Sequence, residues 1–449
     1  MTTASAPLPL TRSSVIAARQ RIESHIHKTP VLTSSALNAI VSTPQSPENL
    51  VDTPWEGQTS CSPKINLFFK CENFQKIGAF KIRGATHALS RLSNEELARG
   101  VVTHSSGNHA QALALAAQYF GTTAHIVMPT ISKPSKIAAT EGYGAHVYFS
   151  GSTSQEREAV TREVLQKTGG VMVPPYDHPD IILGQGTMGL EIQEQVNELI
   201  TKDPSLSVHD HTSDKIDPTI TNGTSNHNDP LESSTPTKEI QPQPETYNLD
   251  ALIAPLGGGG LLSGLALAFS PPYSPSPSPH PSPSPPHTLI FGAEPSFQSA
   301  NDAQIGLSST PPTRIPTVST LTIADGLRTP VGVTNWEIIS NQEYVKGVFS
   351  VTEEQILAAM RLVMERLKVV VEPSACVGLA AVMFCEEFRR LVPSGEGKNG
   401  WDVGIVLSGG NVSVEGICGL FGEENKGEME REKGKVGLNG ERRAENVPG

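Results

Sequence analysis

Four short stretches of the chain gather residue types that can do chemistry. In ALIAPLGGGGLLSGLALAF (251–269) a strand-like run meets Gly257, Gly258, Gly259 and Gly260, and a helical pattern then opens at Leu261. Glycines at that point leave backbone N–H groups unobstructed and feed them into a helix N-terminus, a cradle for an anion such as a phosphate. Neither G-x-G-x-x-G nor a Walker loop is present. A glycine-rich turn with no ligand is the bland account of the same residues. In KCENFQKIGAFKIRGATHAL (70–89), Lys81 follows Phe80 at the start of a helical run. A lysine buried beside an apolar ring sheds its proton more easily and becomes a nucleophile toward an aldehyde, although one lysine near Lys70, Lys76 and Arg83 also reads as an ordinary surface cation. In VVTHSSGNHAQALALAAQYFG (101–121) a strand delivers Ser105, Ser106, Gly107, Asn108 and His109 to the mouth of an Ala-rich helix. Free N–H groups there suit a carboxylate, and a Ser or Asn N-cap explains them equally. In VGIVLSGGNVS (403–413), Ser408 ends a strand; it either bonds a heteroaromatic nitrogen or caps a turn.

The elements that must position these residues follow from periodicity. Strands are expected at 65–70, 101–105, 124–129, 146–150, 251–256, 288–294 and 403–408. Helical patterns cover 84–92, 109–120, 155–167, 186–200, 261–268, 353–368 and 374–390. Short β-rich runs alternating with Ala/Leu-rich helices signify βαβ units and mostly parallel sheets, an α/β class. Three segments read as disordered inserts or tails. Residues 201–246 are polar, 270–287 are almost pure Ser-Pro, and 422–449 are charged. A fourth, 42–63, reads as a surface loop. Removing the first three and the loop leaves roughly 330 residues, ample for a two-domain catalytic core.

Composition narrows the function classes. The formal net charge is −12 and no basic stripe occurs, so nucleic-acid binding is disfavoured. The five cysteines are odd in number and lack C-x-x-C spacing, which argues against a disulfide framework or zinc cluster and fits a reducing compartment. With no signal-like N-terminus and no run of ~20 apolar residues, a cytoplasmic protein is expected.

Taken together, the four motifs resemble the fold-type II pyridoxal-phosphate (PLP) enzymes, and within them the serine racemase and serine/threonine dehydratase branch, which includes 3-hydroxyaspartate dehydratases. FQKIGAFKIRGA is similar to the family's Schiff-base motif, SSGNHAQA to its substrate loop, GGGG to its phosphate loop and LSGGN to its pyridine-nitrogen site. The likeness runs from about Pro30 to Gly419 apart from the inserts. It implies a tryptophan synthase β-like fold of two open, mostly parallel sheets flanked by helices. Its large cofactor-binding domain would comprise 1–99 and 178–421 and its small domain 100–177. It also implies a homodimer.

By resemblance, Lys81 holds PLP as a Schiff base and then takes the substrate α-proton. Phe80 and Asn108 contact the ring, Gly257–Leu261 hold the phosphate, and Ser408 faces the pyridine nitrogen. Ser105, Ser106, Gly107, Asn108 and His109 hold the substrate, with Ser106 available as a second base on the opposite face. Arg157, in SQEREAV, is where this branch carries an arginine near the substrate; on a helix it is equally a solvated charge. Relatives use a glutamate, a backbone carbonyl and an aspartate for a divalent cation, which map to Glu294, Ala300 and Asp302, and hard oxygen ligands suit Mg²⁺ or Ca²⁺. Here the glutamate and aspartate stand two residues farther apart than in the commonest pattern. Glu372, in VEPSACVG, lies near the ring or simply in the core.

The implied reaction is conversion of L-serine, L-threonine or 3-hydroxyaspartate to a 2-oxo acid and ammonia, with serine racemisation permitted by Ser106. A β-replacement synthase and an inactive PLP-binding homologue are the alternatives. SSGNHAQA speaks against the first, and the intact Lys81, Ser106, Asn108 and Ser408 against the second. No amino-acid-sensing module is expected after LSGGN.

Overall fold

The computed structural model describes residues 7–209, 247–271, 287–394 and 400–422. Ten strands lie among them: β1 (Val31–Thr33), β2 (Ile65–Cys71), β3 (Val101–His104), β4 (Ala124–Pro129), β5 (His146–Ser150), β6 (Val171–Met172), β7 (Ala251–Pro255), β8 (Leu289–Pro295), β9 (Gly347–Val351) and β10 (Trp401–Leu407). They form two sheets. The larger has the order β1-β2-β10-β7-β8-β9 and is parallel apart from β1, which pairs antiparallel with β2. The smaller, β5-β4-β3-β6, is wholly parallel.

Helices cover both faces of the larger sheet, so its central strands are apolar on both sides. Along β10, Val403, Ile405 and Leu407 enter one apolar cluster with Leu67, Phe69 and Ile253. Val406 enters the other, with Phe68, Leu252 and Ala254. The smaller sheet has its own cluster, and Ile77, Ala79, Ile82, Ala85 and Leu89 join it from the segment around Lys81.

All seven expected strands form, and three others were missed. β1 and β6, with three and two residues, are too short to show alternation. β9 is an edge strand in which a glycine precedes a brief VFSV run. The pattern at 186–200 belongs to a longer helix, Pro179–Lys202. Its first half holds Gly184, Gly186 and Gly189, which look like breakers but are contact points. A Cβ on Gly184 would lie 2.7 Å from the Arg83 carbonyl, and one on Gly186 2.5 Å from that of Gly264. Close helix packing, not flexibility, explains these glycines.

Two further boundaries differ from expectation. Residues 201–209 are ordered, because Asp402 accepts from Val208 N at 3.0 Å and Ser207 Oγ at 2.5 Å and Val208 is buried. Residues 210–246 and 272–286, with 423–449, lie outside the described residues. The loop expected at 42–63 is pinned: Glu386 accepts from Gln45 Nε2, Ser60 Oγ and Cys61 N at 2.8–2.9 Å, and Leu50 is buried. All five cysteines are free, and no helix among the described residues is long and apolar enough to cross a membrane.

Candidate active site

The four motifs sit at the C-terminal ends of parallel strands, where open α/β sheets bind ligands. β2 leads through two short turns to Lys81, β3 to Ser105–His109, β7 to the glycine loop and β10 to Ser408. Lys81 opens the helix Lys81–Ser90. Its amine donates to the Pro175 carbonyl at 2.8 Å and lies 5.3 Å from the centre of the Phe80 ring. Burial brings the Lys81 amine down to about 8, against the opposing pull of Glu372. Near neutral pH roughly a tenth of it is therefore unprotonated and nucleophilic, far more than for a free lysine.

The helix carrying Lys81 is held from below by a buried charge network. The Arg83 guanidinium meets Glu72 (2.8 Å to each carboxylate oxygen) and Glu191 (2.8 and 2.9 Å), and Lys70 adds a bond to Glu191 at 2.6 Å. All four side chains are almost wholly excluded from solvent. Two cations balance two carboxylates, and the forked geometry of Arg83 fixes the helix against β2 and the helix Pro179–Lys202.

Gly257 to Gly260 are buried, and none of their N–H groups donates to a described residue. Buried orphan donors are rare unless an acceptor is supplied. Gly259 takes φ +95° to turn the chain into the helix Gly260–Phe269, which Leu261 continues. A Cβ on Gly258 would collide with the Tyr176 ring, and one on Gly260 would lie 2.9 Å from the Tyr176 carbonyl. Only glycine fits beneath that ring. The buried N–H groups, the turn and the roof of Tyr176 fit a phosphate group of a planar cofactor.

Ser408 is buried and its hydroxyl has no hydrogen-bond partner among the described residues; its carbonyl accepts from Phe80 N at 3.1 Å, tying β10 to the lysine segment. Asn108 Nδ2 donates to Glu372 Oε1 at 2.9 Å, and Asn108 Oδ1 accepts from Asn411 Nδ2 at 2.8 Å. Burial, reinforced by Asp325, pushes Glu372 up to about 7, so near neutrality it carries a proton for much of the time. Glu372 thus belongs to the site rather than to the general core. Asn411 and Tyr176 were missed by sequence reasoning, although Asn411 lies within LSGGN and Tyr176 follows a Pro-Pro pair.

The remaining candidates divide. Ser105 N donates to the Val127 carbonyl and Ser105 Oγ accepts from Gly107 N, which shapes a loop whose Ser106 and Gly107 are partly exposed. A Cβ on Gly107 would meet nothing within 4 Å, so the loop faces open space. His109 does not face that space. It is 2% exposed and its Nε2 bonds the Val173 carbonyl at 3.2 Å. Arg157 is partly buried on the helix Ser154–Thr168; burial, and then the Arg157 charge, disfavours protonation of His104 at the end of β3.

Glu294, near the end of β8, and Asp302, which opens the helix Asp302–Ser308, are both buried. Glu294 accepts from Ala303 N (3.2 Å) and Gln304 N (3.1 Å), and Asp302 from Val331 N (3.0 Å). Burial and then Asp302 hold Glu294 well above the usual carboxylate range, and burial lifts Asp302 to about 6. Among the described residues neither forms an ion pair with lysine or arginine. In the intervening turn Gln298 and Ser299 both take positive φ, and Ala300 is buried. Two buried carboxylates without a cation fit a hard divalent ion.

A family model described as pyridoxal-phosphate dependent enzyme matches residues 49–209 and 202–409. The chain belongs to this family. Its α/β architecture of two parallel-dominated sheets is that of the fold-type II PLP enzymes. The chain is 35% identical over 418 residues to L-threo-3-hydroxyaspartate ammonia-lyase of Saccharomyces cerevisiae, covering 93% of this chain and 98% of the relative. It is 36% identical over 408 residues to serine racemase of Arabidopsis thaliana, covering 91% and 95%. The crystal structure of serine racemase from Dictyostelium discoideum superposes with a TM-score of 0.64 at 34% identity, covering 90% of this chain and 99% of that one. Lys81, the glycine loop and Ser408 of this PLP-dependent enzyme therefore lie in a fold shared with a solved serine racemase.

Proposed function

We propose that the enzyme is an ammonia-lyase of 3-hydroxy amino acids (L-serine, L-threonine or 3-hydroxyaspartate) that also racemises serine. The observation that carries this reading is the set of loops at the C-terminal ends of β2, β3 and β10, which carry a buried-amine Lys81, the serine-bearing Ser105–His109 and an uncharged, buried Ser408. The likeness to a hydroxyaspartate ammonia-lyase and to serine racemases supports it.

PLP, when bound, supplies an electron sink for charge developing at the substrate α-carbon. Lys81 would hold it covalently, Gly257–Leu261 its phosphate, Phe80 and Asn108 its ring, and Ser408 its pyridine nitrogen. Ser408, a neutral hydroxyl, does not stabilise a fully protonated ring nitrogen. Charge then stays nearer the α-carbon, which favours loss of a β-hydroxyl. The N–H groups of Ser105–Asn108 take the α-carboxylate, with Arg157 available to a second carboxylate. Lys81 moves the α-proton on one face and Ser106 a proton on the other. The site lies between a large domain of 1–99 and 178–421 and a small domain of 100–177. The same reading makes the enzyme a cytoplasmic homodimer.

Ser106→Ala tests the two-base assignment. Racemisation of L-serine, followed by chiral chromatography, should fall by about 100-fold or more. Release of 2-oxo acid from the same substrate should change only a few-fold. Equal losses in both reactions would contradict a dedicated role on the second face.

Glu294, Asp302 and the Ala300 carbonyl are proposed to bind Mg²⁺ or Ca²⁺. Saturating metal, at about 100 times its Kd, should then stabilise the wild type by about 2.7 kcal/mol. Thermal unfolding with and without Mg²⁺ or Ca²⁺ reads this directly, and the response should vanish in Glu294→Gln/Asp302→Asn. An undiminished response in that variant would remove the site.

A further inference from the structure

The segment after β6 reads Val173-Pro174-Pro175-Tyr176-Asp177. Val173 N makes the last rung, to the Val102 carbonyl at 2.8 Å. Beyond it two consecutive prolines have no N–H, so the segment offers the sheet acceptors and no donors there. Side chains from three separate elements satisfy those acceptors. His109 Nε2 meets the Val173 carbonyl at 3.2 Å, Lys81 Nζ the Pro175 carbonyl at 2.8 Å, and Asn335 Nδ2 the Tyr176 carbonyl at 3.3 Å. The same five residues, which include the Tyr176 roof of the glycine loop, therefore touch the substrate-loop helix, the lysine helix and the helix Val333–Ile339.

We propose that His109 is a positioning residue for Lys81: by holding Val173 it sets the Pro175 carbonyl as the resting place of the lysine amine whenever that amine is not bonded to the cofactor. The proposal rests on the reading of Lys81 as the cofactor lysine. A carbonyl only accepts, so His109 Nε2 carries the proton and Nδ1 does not; Nδ1 is buried without a partner among the described residues. Burial and then the neighbouring Lys81 charge bring His109 down to about 3, which leaves it a neutral donor at working pH. It is thus fixed in one tautomer and is unsuited to shuttling protons. An amine released during turnover needs a defined acceptor, or it drifts from the geometry required to return a proton.

The test compares His109→Leu, which removes the donor, with His109→Gln, which keeps one at similar reach. In apoenzyme, acetylation of Lys81 is followed against pH by peptide mass spectrometry, and the rate of PLP capture is followed by absorbance. His109→Leu should shift the Lys81 acetylation profile and slow PLP capture by roughly 10- to 100-fold. It should lower kcat more than it raises KM, and His109→Gln should restore most of each loss. A folded His109→Leu protein with wild-type profile and capture rate would overturn the proposal, as would a His109→Gln protein as impaired as the leucine variant. Should His109→Leu not fold, Pro175→Gly with His109 intact must give the same shifted profile; a wild-type profile there overturns the proposal. Acetylation needs no cofactor. A wild type that captures no PLP would therefore sink the reading of Lys81 while the acetylation profile still decided the role of His109.

Discussion

Lys81→Ala should lower turnover of L-serine and 3-hydroxyaspartate by about 10⁴-fold or more, because one residue both anchors the cofactor and moves the α-proton. The loss should not come from unfolding. The Lys81 amine stands at about 8 in the folded chain against 10.5 for a free lysine. The unfolded state therefore binds more protons between those values, and stability rises with pH across that window. Below it the buried ammonium costs the fold up to about 3 kcal/mol. Alanine removes that cost together with some packing, so the apoenzyme variant should be at least as stable as wild type at pH 7. Circular dichroism melts beside an oxo-acid assay read both quantities. Residual turnover within tenfold of wild type would mean that another group does the work.

The largest effect on stability is expected two residues along the same helix. Arg83→Met leaves Glu72 wholly buried without its guanidinium and Glu191 with Lys70 alone. Breaking a buried ion network by removing one partner costs about 3–5 kcal/mol, because the orphaned carboxylate stays desolvated. Urea unfolding of the apoenzyme should show a drop of that size. Adding Glu72→Gln to Arg83→Met should recover part of it, since the amide carries no charge to strand. A drop below about 1 kcal/mol would show that water reaches the network and relieves it.

The parts of this site legible in the sequence are those whose chemistry needs an unusual local pattern. Four successive glycines after an apolar strand have few other uses, and the loop stands where the pattern put it, between β7 and the helix Gly260–Phe269. Strands buried on both faces announce themselves as continuous apolar runs, which is why β10 and β7 were readable while two-residue β6 was not. Arg83 was the opposite case. Beside Lys81 it looked like one more surface cation, and nothing local tells that Glu72 and, 108 positions on, Glu191 close around it. In the sequence His109 reads with the substrate loop because it adjoins Asn108. A helix turns successive side chains about 100° apart, and that rotation carries the imidazole into the interior. Glu372 illustrates the same limit: only folding brings it to Asn108, 264 positions away in the chain.

The most direct test of the central claim is chemical. The purified protein is reconstituted with PLP, its visible absorbance recorded, and the sample reduced with borohydride and digested for mass spectrometry. A visible band that Lys81→Ala lacks, with the reduced pyridoxyl group on the peptide carrying Lys81, is the predicted result. A protein that gains no band, or one whose label sits on another lysine, would contradict the account.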